Sequence, residues 1–397
     1  MHFPGRSRWR QVASAATLAV FLASCAVEQH APQDTFKPES ESARRITRLA
    51  VPVFWAAIAV GVFVYGLLMW CIVKYRRRDE NHVPTQVHGN GKLEAAWGII
   101  PALLLVVVGS FAVPEIFRQS NEPKDPYNIT VIGHQWWWEY QYPQVGESKM
   151  SPRLETIEDP LDIDKAKEEG RSPKFLAKVV KQDKPAITTA NELHIPAGRN
   201  VRLIITSRDV MHNYWVPKLS GKIYAIPGKL NRLTINSDPE DAGKTIYGQC
   251  AEFCGVSHAN MRFKVVIDSP EKFDAWLANQ AQPALKAANE LAKAGEVLFN
   301  GGGGCTNCHW TDSGRTNGYE AVKSDAGEVS YVKNIGPNLA HFGVRKTFAG
   351  AIAPSDTRSL KAWLRNPQKF KPGSRMVVRK FSEDEVNALV AYVQSLK

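Results

Sequence analysis

Three apolar runs, followed by two regions of different period, divide the chain. The first run, Val12 to Ala23, is short and follows Arg6, Arg8 and Arg10. A basic stretch before a short apolar one predicts a secretory signal over residues 1–24. Residues 25–45 are polar and are expected to form a tether. The second run, Ile46 to Val73, and the third, Ala95 to Phe117, are each long enough to cross a hydrocarbon core of about 30 Å. Pro101 and Pro114 lie in the third, which membrane helices tolerate. Two transmembrane helices are therefore predicted within residues 46–118.

From residue 119 the pattern shortens. Val201, Leu203 and Ile205 alternate with Arg202 and Ile204, and Phe263, Val265 and Ile267 alternate with Arg262 and Lys264. Both segments read as half-buried strands, with turns marked by Pro196-Ala197-Gly198 and Pro227-Gly228. An all-β sandwich is predicted over residues 119–268. Residues 144–184 within it are charged and weakly periodic, as in a surface insertion, with some helix expected around Asp164 to Glu169. A polar linker is expected at 269–284. A helix is predicted over 285–299, with Leu291, Leu298 and Phe299 on one side and Gly295 allowing a close helix contact. Near the end, Ser382-Glu383-Asp384-Glu385 has the form of a capping box, and Val386, Leu389, Val390 and Val393 follow at helical spacing. The whole reads as a multidomain membrane protein: a two-helix transmembrane hairpin, an all-β sandwich and an all-α domain over 285–397.

Charge orients the hairpin. The loop between its helices carries Lys74, Arg76, Arg77, Arg78 and Lys92, so the positive-inside rule puts it in the cytoplasm. Arg44, Arg45 and Arg48 on the other flank weaken the asymmetry, but the leader agrees with it. Both soluble regions accordingly face the periplasm or the outer side. Leu22-Ala23-Ser24-Cys25 has the form of a bacterial lipobox, whose cysteine becomes the acylated mature terminus; a plain signal with an incidental cysteine is the alternative.

The 44% hydrophobic and 22% charged residues exclude a disordered chain, and a mean hydropathy of -0.27 excludes a many-helix transporter. The net charge of +11 would suit nucleic acid, an anionic membrane or acidic protein partners. Nucleic acid is excluded by the outward-facing domains. Residues 286–397 carry 16 Lys and Arg against 10 Asp and Glu, so much of the surplus belongs to the last domain.

The six cysteines matter by placement, for four of them form two tight groups. In Gly248-Gln249-Cys250-Ala251-Glu252-Phe253-Cys254-Gly255-Val256-Ser257-His258-Ala259-Asn260-Met261, two thiols, an imidazole and a thioether are soft ligands suited to copper. A second imidazole lies upstream in Asp209-Val210-Met211-His212. A Cys250–Cys254 disulfide would leave His258 and Met261 unexplained. Zinc has no use for the thioether, and a mononuclear blue copper site would leave a thiolate spare. Two thiolates bridging two copper ions use every group.

The Cys-x-Glu-x-Cys-x-x-x-His-x-x-Met pattern, with Asp-Val-x-His upstream, resembles subunit II of the haem–copper cytochrome c oxidases. The resemblance extends over Ala50 to Asp268 and implies a cupredoxin domain holding the dinuclear CuA centre. It implies that Cys250 and Cys254 bridge the coppers, that His212 and Met261 complete one ion's shell, and that His258 and the Glu252 carbonyl complete the other. It also directs the Glu252 carboxylate toward a magnesium ion shared with subunit I. Gly133-His134-Gln135-Trp136-Trp137-Trp138 resembles the family's aromatic segment, which implies that Trp136 receives electrons. Trp137 stands where many relatives have Tyr or Phe, and tryptophans at a membrane interface are the plainer reading. His134 reads as a core histidine. Glu94 lies at the amino end of the second membrane helix, where a carboxylate is favourable by itself; the family implies a proton-uptake glutamate at this position.

Cys305-Thr306-Asn307-Cys308-His309 is the attachment motif for haem c, with His309 as proximal ligand. A redox dithiol is the rival, but no thioredoxin-like βαβ pattern surrounds it. For the sixth ligand, Met376 is the one methionine downstream, and a thioether raises the potential. His341, in Gly336-Pro337-Asn338-Leu339-Ala340-His341, is the alternative, though that segment resembles a loop packing on the haem's proximal side. Val377 stands where relatives have Pro after the methionine. Helices bracketing the motif imply a class I cytochrome c domain.

These features imply the electron-receiving subunit of a proton-translocating haem–copper terminal oxidase in a bacterial inner membrane. Electrons would pass from a donor cytochrome or a quinol–cytochrome c reductase through haem c and CuA to an oxygen-reducing centre in subunit I, with subunit III a further partner and membrane lipid around the hairpin. A nitrogen oxide reductase is an alternative, although the ten histidines include no further cluster. A tethered electron carrier would need one anchor and no Glu94.

Overall fold

The computed structural model describes residues 32–397 apart from 78–82, 84, 144, 149–152, 159–167, 171–174, 182–186, 286, 288, 313–318, 324–328 and 334–335. The leader and Cys25, Arg78 and most of the helix expected around Asp164 to Glu169 lie outside the described residues.

Helices α1 (Glu41–Lys74) and α2 (Gly91–Ser120) are long and apolar enough to cross a membrane. At 1.5 Å per residue α1 is about 50 Å long, more than a ~30 Å hydrocarbon core needs. Its first turns therefore rise beyond the span, and the last part of the expected tether is helical. Ser40 caps α1 and donates to the Leu219 carbonyl, while Arg44 makes a bidentate pair with Asp238. Arg45 and Arg48 pair with Glu41. The hairpin is thus tied to the soluble region by the basic flank that confuses the charge rule. Ser42 and Gln119 hydrogen-bond the two helices to each other.

Two five-stranded sheets form the sandwich. One has the order β10-β7-β1-β2-β5, from β1 (Tyr127–His134), β2 (Trp137–Tyr142), β5 (Ile187–Ala190), β7 (Val201–Ser207) and β10 (Asn231–Ile235). The other is β6-β12-β11-β8-β9, from β6 (Glu192–Pro196), β8 (His212–Trp215), β9 (Lys222–Ala225), β11 (Thr245–Cys250) and β12 (Arg262–Asp268). Trp138, Tyr214 and Phe263 meet between them, with ring centroids 4.3–5.8 Å apart. Strand β12 alternates buried and open positions as its sequence predicts. Strand β7 does not: every residue in it is buried. Its outward Arg202 reaches back to the Ser120 and Asn121 carbonyls, so the carboxyl end of α2 covers that face and gains a cation at its negative pole. The 144–184 insertion carries an antiparallel ribbon, β3 (Arg153–Glu158) with β4 (Phe175–Lys181).

The expected linker is mostly helix. Helix α3 (Pro270–Ala281) starts from a Ser269 cap and drives Phe273 and Leu277 into the sandwich core. Two apolar side chains four residues apart share a helix face, a signal obscured by the surrounding polar residues. Helix α4 (Glu290–Asn300) begins later than expected, at the Asn289 cap. Leu291 is exposed on it; the packed face is Ala292, Gly295 and Phe299. After the ribbon β13 (Tyr319–Lys323) with β14 (Val329–Lys333) and the short pair β15 (Thr347–Phe348) with β16 (Ala353–Pro354), helices α5 (Thr357–Arg365), α6 (Pro367–Phe370) and α7 (Glu383–Ser395) complete the last domain. The capping box from Ser382 to Glu385 opens α7 as predicted. Helices α4 and α7 touch backbone to backbone: a Cβ on Gly295 would lie 2.0 Å from the Ala388 carbonyl oxygen.

The last domain packs on the sandwich. The buried Glu192 carboxylate of β6 accepts from the Lys346 and Thr347 backbone and the Thr347 hydroxyl, and Arg262 donates its amide to the Gly350 carbonyl.

Candidate metal centre and cofactor pocket

Strand β11 ends at Cys250 and β12 begins at Arg262, so Cys254, His258 and Met261 sit on the connecting loop. The Cys250 amide closes that loop on the Met261 carbonyl. Strand β8 pairs with β11 and brings His212 alongside. The two thiols lie 3.8 Å apart. Around them, His212 Nδ1 is 4.0 Å from Cys250, His258 Nδ1 is 3.5 Å from Cys254, and the Met261 sulfur is 3.8 Å from Cys254. The Glu252 carbonyl is 3.3 Å from the Cys250 sulfur.

These separations test the donor set against a metal. Two sulfurs bound at about 2.3 Å to one tetrahedral ion stand about 3.8 Å apart, whereas a disulfide needs about 2.05 Å. The Cys250–Cys254 spacing matches shared coordination, and every soft donor expected from the sequence is within reach. The residues fit a copper pair.

Electrostatics favour the same outcome. A hydrogen bond from the Cys254 thiol holds Cys250 far below the ordinary thiol range, and that bond raises Cys254. One thiol is thus already primed for the deprotonation that metal binding demands. His212 is fully buried and its Nε2 is 2.8 Å from Asp209 Oδ1. Burial alone would lower the imidazole's pKa, but Asp209 and Cys250 together raise it. The Asp209 carboxylate is itself held by the Gln135 and Val210 amides. It leaves Nδ1 facing the sulfurs, the usual service of an outer carboxylate to a metal-binding histidine. Asp209 has no assigned role in the sequence reading, although a carboxylate three residues before a ligand histidine is the signal for it. Gly133 permits the packing, since a Cβ there would fall 2.6 Å from the His212 ring.

Trp136 is buried, and its Nε1 donates to the Cys254 carbonyl at 2.9 Å. Trp137 instead stacks on His134, which is hydrogen-bonded to buried Glu139 as a core histidine should be. The Glu252 carboxylate is hydrogen-bonded to the Tyr224 hydroxyl and raises its pKa. Glu94 lies far from the cluster, about 40 Å along α2 from its Ser120 end. Its carboxylate accepts from the Asn90 amide, and the Asn90 side chain caps Lys92 and Leu93.

In the last domain, Cys305 to Asn307 form one short turn, so Cys305, Cys308 and His309 face a largely apolar pocket that Met376 also lines. The His309 Nδ1 donates to the Pro337 carbonyl at 2.8 Å, and burial pulls its pKa down. A neutral imidazole with Nε2 free is the form a metal takes. Gly336 lets that loop close in, for a Cβ would stand 2.5 Å from the ring. The Met376 sulfur accepts from Trp363 Nε1. His341 points elsewhere, donating to the Gln282 carbonyl from outside the pocket. Two thiols, an imidazole and a thioether around an apolar slot fit a covalently held haem.

Family models match in three places: the periplasmic domain of cytochrome c oxidase subunit II at residues 127–269, its transmembrane domain at 32–114, and cytochrome c at 292–397. Cytochrome c oxidase subunit 2 of Bacillus sp. strain PS3 is 30% identical over 81% of this chain and 80% of its own length. The protein of the same name from Alkalihalophilus pseudofirmus is 28% identical over 96% of this chain and 95% of its own. That from Bacillus subtilis is 28% identical over 98% of each.

Proposed function

This chain belongs to the cytochrome c oxidase subunit II family, and from that premise we propose that it takes electrons from a donor at a haem c and passes them through a CuA centre toward subunit I. The ring of donors around two thiols 3.8 Å apart carries this reading. Cys250 and Cys254 would bridge two copper ions, with His212 and Met261 on one and His258 and the Glu252 carbonyl on the other. Cys305 and Cys308 would hold the haem by thioethers, with His309 and Met376 as axial ligands. When bound, these groups supply one-electron redox chemistry.

The protein's own residues orient and insulate. Asp209 sets the His212 tautomer, and the loop amide of Cys250 keeps the sulfurs in place. Trp136 covers the loop and is itself covered by the cytochrome domain, where a Cβ on Gly373 would meet its ring at 3.1 Å. That cover favours the fused domain over a free cytochrome as the partner of Trp136. A short tether also raises the effective concentration of the fused domain to the millimolar range.

Glu94 would take up protons at the cytoplasmic mouth of a channel in subunit I, and the Glu252 carboxylate would meet a magnesium ion shared with that subunit. Subunit III and a donor cytochrome or quinol–cytochrome c reductase complete the assembly. The hairpin would lie in a bacterial inner membrane, with Cys25 acylated at the mature terminus after removal of residues 1–24. Domain limits follow as 46–118 for the hairpin, 119–281 for the cupredoxin unit with α3, and 285–397 for the cytochrome.

Paramagnetic resonance and optical spectra of the purified complex test the proposal. Hyperfine structure from two equivalent copper nuclei, with a low-spin haem c band, is expected. A mononuclear copper signal or a chain without covalent haem would overturn it.

A further inference from the structure

The cytochrome domain rests on the sandwich through the hairpin at residues 346–355, which the cupredoxin side grips at its base and at its tip. At the base stands Glu192, the first residue of β6, only 5% exposed. Its Oε1 accepts from the Thr347 amide at 2.8 Å, the Thr347 hydroxyl at 2.7 Å and the Lys346 amide at 3.1 Å. Asn191 aims it. That residue is left-handed, with a φ of 64°, and is fixed by its amide on the Trp138 carbonyl, its side chain on the Trp138 amide and its carbonyl on the Lys264 amide. At the tip, the Gly350 carbonyl accepts from the Arg262 amide at 3.2 Å, and a Cβ on Gly350 would collide with the Asn260 carbonyl. Ala349, Gly350 and Ala351 are all left-handed, with φ of 56°, 82° and 57°. Alanine disfavours that region, so such a tip persists where its surroundings fix it.

The same hairpin forms a wall of the cofactor pocket, which Thr347, Phe348, Ala349 and Gly350 line. The Phe348 ring meets Trp363 edge-on at 5.6 Å, and Trp363 Nε1 donates to the Met376 sulfur. A grip on Thr347 is therefore a grip on the wall and, two rings further, on the thioether. The connecting chain is itself tied to the cytochrome domain: the Gln282 carbonyl accepts from His341, and the Leu285 amide donates to the Lys397 carbonyl. A buried carboxylate adds little net affinity to an interface, but it selects a register, because any other docking that buries it leaves it without donors. Two consecutive amides and a hydroxyl converging on one carboxylate meet that demand in a single pose.

We propose that Glu192 is a positioning residue for the haem-to-copper step: it latches the 346–355 hairpin, and with it the cofactor wall, onto the cupredoxin domain. The cytochrome is then a fixed relay and not a shuttle moving on a tether. The electron step rests on the haem c reading above, whereas the latch stands on the hydrogen bonds alone. Transfer between two centres depends on their separation, which a latch holds constant and a tether lets vary. A latched domain needs no motion during turnover, so solvent viscosity does not enter the step.

The test uses the full oxidase complex. In the unmodified protein the Lys346 and Thr347 amides should resist hydrogen exchange, and rapid-mixing records of haem-to-copper transfer should be insensitive to added glycerol. Glu192→Ala removes the acceptor, so the two amides should lose about tenfold or more in protection. Transfer should slow by about tenfold or more and become dependent on glycerol, with the haem midpoint potential and the copper resonance unchanged. Glu192→Gln keeps an oxygen for Thr347 and should hold transfer close to the unmodified rate. Gly350→Ala pushes the tip off the Asn260 carbonyl and should reproduce the slowing and the glycerol dependence, which serves if Glu192→Ala does not fold. Freely exchanging amides or glycerol-sensitive transfer in the unmodified protein overturns the latch. So does transfer at the unmodified rate in Glu192→Ala, or Glu192→Gln as slow as Glu192→Ala. A pyridine haemochrome assay separates the two levels: absent covalent haem refutes the haem reading, and amide exchange still decides the latch.

Discussion

Trp136 touches Cys254 with its ring and Lys371 with its backbone: Nε1 donates to the Cys254 carbonyl at 2.9 Å, and its own carbonyl accepts from the lysine ammonium. One residue thus joins the metal-binding loop to the cytochrome domain. Around it the seam is closed by the Ser257 hydroxyl donating to the Pro372 carbonyl, by Arg375 donating to the Gln135 side chain, and by packing of Gly373 on the Trp136 ring.

Trp136→Phe keeps an aromatic ring and removes the donor to Cys254. The lost hydrogen bond should cost about 0.5–1.5 kcal/mol of local stability. Rapid-mixing records should show electron arrival at copper slowed while both the copper resonance and the haem band persist. Unchanged transfer would remove Trp136 from the route.

Cys250→Ser or Cys254→Ser should abolish the dinuclear copper signal and leave covalent haem intact, since the two sites share no ligand. Asp209→Asn should weaken copper binding by about 10–100-fold without abolishing it, because it disturbs the orientation of His212 and removes no ligand. Competition with a copper chelator measures the difference.

Met376→Leu should lower the haem midpoint potential by removing the axial thioether. His341→Ala should leave the axial ligation untouched and act on stability alone, since His341 is bonded to the Gln282 carbonyl outside the pocket. The optical spectrum of each variant distinguishes a ligand from a packed core residue.

Gly295→Ala forces a methyl against the Ala388 carbonyl, 2.0 Å away before relaxation. Separating α4 from α7 should cost about 1–3 kcal/mol or more. A lower melting temperature of the haem domain, with the copper site unaffected, is the expected result.

Hydrogen bonds from Arg44 hold Asp238 below the usual carboxylate range. A depressed folded-state pKa contributes stability that is present above the unfolded value of about 3.9 and is lost as pH falls through the folded one. The pair is partly exposed, so its contribution is no more than about 1 kcal/mol. Asp238→Asn should therefore lower the melting temperature slightly at neutral pH, and the difference from the unmodified protein should vanish in acid.

Motif and period alone determined much of this protein. The hairpin is written in two long apolar runs, and the copper and haem ligands lie in short segments, where four-residue and three-residue spacings survive any packing. The capping box at Ser382 and the core role of His134 were legible for the same reason: each depends on neighbours close in sequence. What tertiary structure decided depends on residues far apart. Strand β7 is buried on both faces because the end of α2 reaches Arg202, and the supposed linker is a helix because Phe273 and Leu277 find a core formed by strands laid down up to 150 residues earlier. Arg345 and Lys371 look like ordinary surface cations in a basic domain. The docking of that domain buries Lys371 against the Trp136 carbonyl, far away in the chain, whereas Arg345 is buried on the Asn338 and Ala340 carbonyls of its own loop.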